Sequence, residues 1–206
     1  MSDSSHAGAA VAPVFAEPTP MGLICLSIGC AALVPIAFGT SLTPVGLRTA
    51  AMFCLFFGAG GQFLAGVMSL ANRNLFGGTL FTAFAFNWLM NWWALNQLAG
   101  GVVPDHAVIT AVDVAFLVIF IAMTYGFGFF SKLLFVFLLD IDLLYACRIV
   151  NSLAGTRVLA LPIALLTVGL AAISLWIAFA MLLNPVAGRV LFPLGGPLFA
   201  PRRPSP

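Results

Sequence analysis

Charge is nearly missing from this sequence. Its 206 residues hold eight lysines and arginines, six aspartates and glutamates and two histidines, so 7% are charged against 62% hydrophobic. A soluble domain carries roughly a quarter charged residues. Sixteen titratable side chains cannot make a water-facing surface for a chain of this length. With a net charge of only +2, no nucleic-acid partner is expected. The shortage points to an integral membrane protein.

Short alternating segments are lacking as well. A strand of a membrane barrel runs about ten residues with alternating polarity, whereas the apolar runs here are about twice that length and unbroken. Each backbone group in lipid must find its partner within the chain, which leaves the helical bundle. Catalytic equipment is also scarce. The two histidines, His6 and His106, fall in the N-terminal stretch and in a loop, so no intramembrane haem or metal site can be built from them. HExxH, GxSxG and CxxC patterns are missing. The four cysteines, Cys25, Cys30, Cys54 and Cys147, lie inside apolar runs and read as packed thiols. An enzyme and a cofactor are therefore not expected, and conduction of a solute is the stronger class. No basic segment precedes the first apolar run, so that run is expected to be retained as a helix.

What the sequence does contain is six apolar spans, each near the ~20 residues that a bilayer requires. They lie at about 20–39, 46–71, 77–98, 108–130, 133–154 and 159–183. Residues 1–17 and 196–206 are expected to be flexible cytoplasmic tails around one transmembrane domain over 18–195. Arg73, Lys132, Arg189, Arg202 and Arg203 fall on the side of the termini, against Arg48 and Arg157 on the other, which favours both termini in the cytoplasm. In GAGGQFLAG (58–66), Gly61 and Ala65 sit four residues apart on one helix face, the spacing that lets helix backbones approach.

The polar residues inside the spans carry the functional information. Thr79, Ala83, Asn87 and Asn91 recur every four residues and suggest a polar stripe, either for interhelical hydrogen bonds or for a pore wall. Thr82 and Gln62 carry the same two readings. Asp113, Asp140, Asp142 and Arg148 place charge at membrane depth, which costs ~2.5–3.5 kcal/mol for each carboxylate. Asp140 and Asp142 point to nearly opposite faces of one helix, and Arg148 is badly placed for both, so partners from other helices or a neighbouring subunit are implied. Structural ion pairs and a proton or substrate role are both open. Asp113 lies about 7 Å into its span, close enough to reach the interface.

Three ordered motifs resemble the acetate uptake transporter family of acetate and succinate permeases. They are GAGGQFLAG (58–66) followed by FGGTLFTAFAFNWL (76–89), LLNPVAGRVLFPLG (182–195), and AEPTPMGL (16–23) at the family's Asn-Pro-Ala-Pro-Leu-Gly-Leu turn. The resemblance runs from about residue 17 to 195. It implies six transmembrane helices, cytoplasmic termini in a bacterial inner membrane, and a homo-hexamer with one pore per protomer. It also implies movement of acetate, in some members succinate, either with a proton or through a channel-like anion pathway. The family's apolar constriction maps to Leu26, Phe84 and either Asp140 or Ile141. The signature turn maps to Glu17, Pro18, Pro20 and Gly22, with Glu17 where the family has asparagine. Met181 replaces a family glutamate, and the four intramembrane charges stand where the family is mostly apolar.

The expected picture is a monocarboxylate permease with Thr and Asn groups near an apolar throat. A channel for an amide, ammonia or a cation that uses the aspartates, and a membrane scaffold without transport, are the alternatives. Thr19 is expected to cap the first helix, with Pro20 in its first turn.

Overall fold

Helices form at all six apolar runs, and side chains stop or start them at defined places. The computed structural model describes residues 12–200. Helix α1 is Thr19–Ala37, α2 is Pro44–Ala71, and α3 is Leu75–Ala99. Then follow α4, His106–Phe127, α5, Lys132–Leu153, and α6, Ala160–Ala187. Four of them begin at a residue whose side-chain oxygen accepts a backbone N–H three residues on. These caps are Thr43 for α2 (3.1 Å), Asn74 for α3 (2.9 Å), Asp105 for α4 (2.9 Å) and Ser131 for α5 (3.1 Å). Each satisfies one of the N–H groups a helix start leaves free.

The first helix departs from expectation. Thr19 is its first helical residue and caps nothing. The Glu17 carboxylate takes that place, with Oε1 accepting from the Thr19 N–H at 3.1 Å and from the Thr19 hydroxyl. The longer Glu side chain reaches back over Pro18, and the threonine hydroxyl donates to it instead of accepting.

By length and composition, α1, α2, α4 and α6 are apolar enough to cross a membrane. The other two, at 25 and 22 residues, are longer than α1 with its 19. Helix α3 is diluted by Asn87, Asn91, Asn96 and Gln97, and α5 by Lys132, Asp140, Asp142 and Arg148. The pair that falls below the apolar mark is thus the pair that carries most of the polar chemistry. Large side chains left exposed, such as Phe56, Val118, Ile121 and Leu165, are apolar and form a lipid-compatible exterior.

Helix α1 lies along α6, α4 along α5 and α2 along α3, and the α5–α6 and α1–α2 contacts join these pairs. The α1–α2 contact is close because Gly22 has no side chain. A Cβ there would stand 2.6 Å from Phe81 Cε1 and 2.9 Å from Ala65 Cβ. Gly61 faces Cys25 in the same seam, so the four-residue spacing of Gly61 and Ala65 does bring backbones together. The chain over Cys54–Gly61 winds as a π-helical turn, a wider winding that interrupts the α-helical register. All four cysteines are free thiols.

The expected tails are tied down at their inner edges. The Phe15 N–H donates to Asn72 Oδ1 and Asn72 Nδ2 donates to the Phe15 carbonyl, both at 2.9 Å. On the C-terminal side, Leu198 N–H donates to the Gly128 carbonyl at 2.8 Å, and the Phe199 ring packs against Tyr125, Phe129 and Phe135. Residues 1–11 and 201–206, which include His6, Arg202 and Arg203, lie outside the described residues.

Candidate functional site

Helix α3 packs its backbone on α2 and meets α4 through side chains, with the Phe84 and Phe120 rings stacked at 4.8 Å between centroids. A gap between helices that is closed by side chains alone can widen without moving the backbone. Three cavities follow α3 and α5 through the bundle. At the end that carries the chain's two tails, a cavity of about 240 Å³ is bordered by Glu17, Thr19, Asn74, Phe81, Phe137 and Ile177. At the end that carries the 100–105 loop, one of about 170 Å³ is bordered by Asn91, Val103, Pro104, His106 and Arg148. Between them, a cavity of about 50 Å³ touches Cys30, Phe84, Asn87, Ile141, Tyr145 and Arg148.

The tail-end cavity is separated from the middle one by a plug. Successive turns of each helix run from the first cavity through the plug to the second: Leu23, Leu26, Cys30 on α1; Leu80, Phe84, Asn87 on α3; Phe137, Ile141, Tyr145 on α5. The plug side chains Leu26, Phe84, Phe120 and Ile141 are 0%, 5%, 0% and 1% exposed. No polar side chain belongs to that set, so a bare anion crossing it would lose its hydration without replacement. Tyr145 packs on Phe120 at 5.4 Å, and Phe116 stacks on Phe120 at 5.6 Å. Phe120 and Tyr145 gave no signal in the sequence, because an aromatic inside an apolar run offers no contrast. The four-residue spacing of Phe116 and Phe120 is the one hint.

Polar groups gather on the loop side of the plug. Asn91 Nδ2 donates to the carbonyl and to Oδ1 of Asn87, both at 3.1 Å. That fixes the Asn87 amide with its oxygen occupied, and its Nδ2 is buried without a partner. Trp88 Nε1 is also buried and unpartnered. An orphaned buried donor is costly, by about 1–3 kcal/mol, and both residues border the middle cavity.

The expected stripe is only partly assembled. Asn87 and Asn91 line cavities, but Thr79 is exposed on the outside of α3. Thr82 turns to α2, where a Cβ on Gly66 would lie 2.9 Å from its backbone nitrogen, and its hydroxyl donates to the Gly78 carbonyl at 2.7 Å. Four-residue steps overshoot a 3.6-residue turn by about 40° each, so a stripe of three steps wraps about a third of the way round. Gln62 is fully buried, with Nε2 3.4 Å from the Gly22 carbonyl, and it works in the α1–α2 seam rather than on a cavity.

The charged residues divide as their spacing implies. Ile141 borders the middle cavity, while Asp140 points into the α5–α6 seam, where a Cβ on Gly169 would stand 2.9 Å from its Oδ1. Asp140 Oδ2 is buried with no partner. Asp142 turns the other way, to α4, and its Oδ2 lies 2.7 Å from the Thr124 hydroxyl. Asp113 faces the inside of the bundle. It is 3% exposed, because its position on α4 faces α5, and Arg148 Nη2 stands 3.1 Å from its Oδ1. The Arg148 guanidinium also lies 5.3 Å from the centre of the Tyr145 ring.

No family model and no curated protein matches this chain in sequence. Among solved structures it is similar to that of the bacterial acetate channel SatP, with a TM-score of 0.78 at 22% identity, over 88% of this chain and 99% of the other. The chain has the fold of that channel. Together with its four strongly apolar helices, this fold makes it an integral membrane protein.

Proposed function

We propose that this protein passes small monocarboxylates, acetate first, across a bacterial inner membrane. The single observation that carries the reading is the plug of Leu26, Phe84, Phe120 and Ile141, set between two cavities in the fold of an acetate channel. A molecule with a methyl group and a carboxyl group suits this route. Its methyl end can pass apolar rings, and its carboxyl end can accept the free N–H of Asn87. Because the plug offers no hydrogen-bond donor, passage with a proton is favoured over passage of the bare anion. Six spans, cytoplasmic termini and a homo-hexamer with one pore in each protomer complete the reading, with succinate as a second substrate to be tested.

The direct test is uptake of labelled acetate into proteoliposomes, with and without an inward proton gradient. Saturable uptake that the gradient accelerates is the expected result. Uptake no faster than in empty liposomes rejects the reading. A second reading, a pathway for protons or another cation, is favoured by one observation: the unpartnered, buried Oδ2 of Asp140. Asp140→Asn separates the two. Loss of cation flux with intact acetate uptake would support the second reading, and no loss would leave Asp140 a seam residue.

A further inference from the structure

We propose that Arg148 is an anion-capture site at the loop end of the pathway, with Asp113 as its resting counter-ion. This rests on the carboxylate reading above and adds to it a place where the substrate is first held. The charge itself is what needs explaining. A guanidinium inside an apolar bundle is retained at a cost, and one carboxylate is enough to neutralise it. Neutralisation alone would be met by an arginine turned fully into the α4–α5 seam. Arg148 instead borders both the loop-end cavity and the middle cavity, together with Asn91.

Three details support capture. The contact with Asp113 is through one nitrogen and one oxygen, Nη2 and Oδ1 at 3.1 Å, and that oxygen makes no well-aligned hydrogen bond. A guanidinium has five N–H donors in a planar fork, so most of its donors remain available to a second carboxylate. The Tyr145 ring, 5.3 Å away, supports the guanidinium by a cation–π contact and keeps it between the cavities. The next donor inward is the Asn87 Nδ2, which has no partner and belongs to a residue 5% exposed. Asn87 and Asn91 are one turn apart, about 6 Å along α3, so a carboxylate released by Arg148 meets an amide donor before it reaches the plug.

The lining charges make the two ends of the pathway unlike. Neither the loop-end nor the middle cavity has a carboxylate in its lining, whereas Glu17 borders the tail-end cavity. An anion meets guanidinium donors at one end and a carboxylate at the other. The site therefore takes small monocarboxylates in their ionised form, and Asp113 holds the arginine in place between passages.

The test uses Arg148→Gln, Arg148→Lys, Asp113→Asn and the double variant Asp113→Asn/Arg148→Gln. Two quantities are measured: the half-saturation concentration for acetate flux in proteoliposomes, and acetate binding to detergent-purified protein by saturation-transfer NMR. Losing a charge-assisted carboxylate contact weakens binding by about tenfold or more. Arg148→Gln is expected to show that loss in both measurements, and Arg148→Lys a smaller one. Asp113→Asn, which frees the guanidinium, is expected to tighten binding. The double variant is expected to recover the wild-type thermal midpoint but not the acetate affinity. Recovery of affinity in the double variant, or unchanged affinity in a folded Arg148→Gln protein, overturns the proposal and makes the pair purely structural. If the wild type binds acetate but does not pass it, the permease reading fails while the binding arm still decides the site. No acetate binding by the wild type overturns the site itself.

Discussion

At Glu17 one side chain both caps helix α1 and borders the tail-end cavity. The turn resembles a family signature in which asparagine stands at this place, and the charge is the difference. An exposed cap contributes about 1 kcal/mol, so its loss is a modest effect. The electrostatic consequence for an anion is the larger one. Glu17→Asn is expected to raise the initial rate of acetate entering from the tail end, measured in oriented vesicles, with a thermal midpoint lowered by a few degrees at most. An unchanged rate would leave Glu17 a cap and nothing more.

Asp142 presents a second problem at this scale. The Thr124 hydroxyl lies within hydrogen-bond distance of both Asp142 Oδ2, at 2.7 Å, and the Phe120 carbonyl, at 2.8 Å. A hydroxyl has one hydrogen and can donate to only one of them. The chain of bonds closes when the group at 142 supplies a hydrogen of its own. Asp142→Asn carries an N–H and is expected to leave the thermal midpoint nearly unchanged. Asp142→Ala leaves the threonine only the Phe120 carbonyl, opens a small cavity beside it, and is expected to cost about 1–3 kcal/mol in detergent unfolding. Equal losses in both variants would mean that the charge, not the hydrogen, holds the contact.

Among the elements, the α1–α2–α3 junction is where the sequence was most informative. The spacing of Gly61 and Ala65 announced a close helix contact, and Gly22 and Gly61 form it against Ala65, Phe81 and Cys25. Gly22→Ala places a methyl 2.6 Å from the Phe81 ring. The expected cost is about 1–3 kcal/mol of overpacking, read as a lower unfolding midpoint, and Phe81→Leu should return part of it by making room. No recovery would mean that the backbone, not the ring, resists. The α3 stripe was less legible. Four-residue spacing looks like one face on paper, but the helix turns away beneath it, so Thr79 ends outside and Asn87 inside. On α5, spacing separated Asp140 from Asp142, while the family resemblance left open whether residue 140 or 141 stands at the constriction; Ile141 is the one that borders the middle cavity. That depends on the rotation of α5 against α6, which only packing sets.

For the whole molecule, the proposed function turns on the plug. Phe84 and Phe120 come from different helices and form one stack, which contributes about 0.5–1.5 kcal/mol beyond the area it buries. Phe84→Ala and Phe120→Ala are each expected to speed acetate flux and to admit larger acids such as butyrate, measured by competition in proteoliposomes. The double variant should gain little beyond either single one, because one ring without the other no longer seals the gap. Additive gains would indicate two separate constrictions.

The sequence by itself determined the solvent, the number of helices and the scarcity of catalytic groups. These follow from composition and run length, since a lipid environment leaves few ways to satisfy a backbone. It also determined which residues were anomalous: charges and amides in apolar runs are visible wherever they stand. Tertiary structure alone decided their partners. It brought Asp113 to Arg148, Thr124 to Asp142 and Phe120 to Phe84, contacts between α4 and its neighbours that no spacing along one helix encodes. The physical reason is rotational. Periodicity fixes which side chains share a face, but the direction of that face is set by how helices pack, and a pathway exists only where several faces converge.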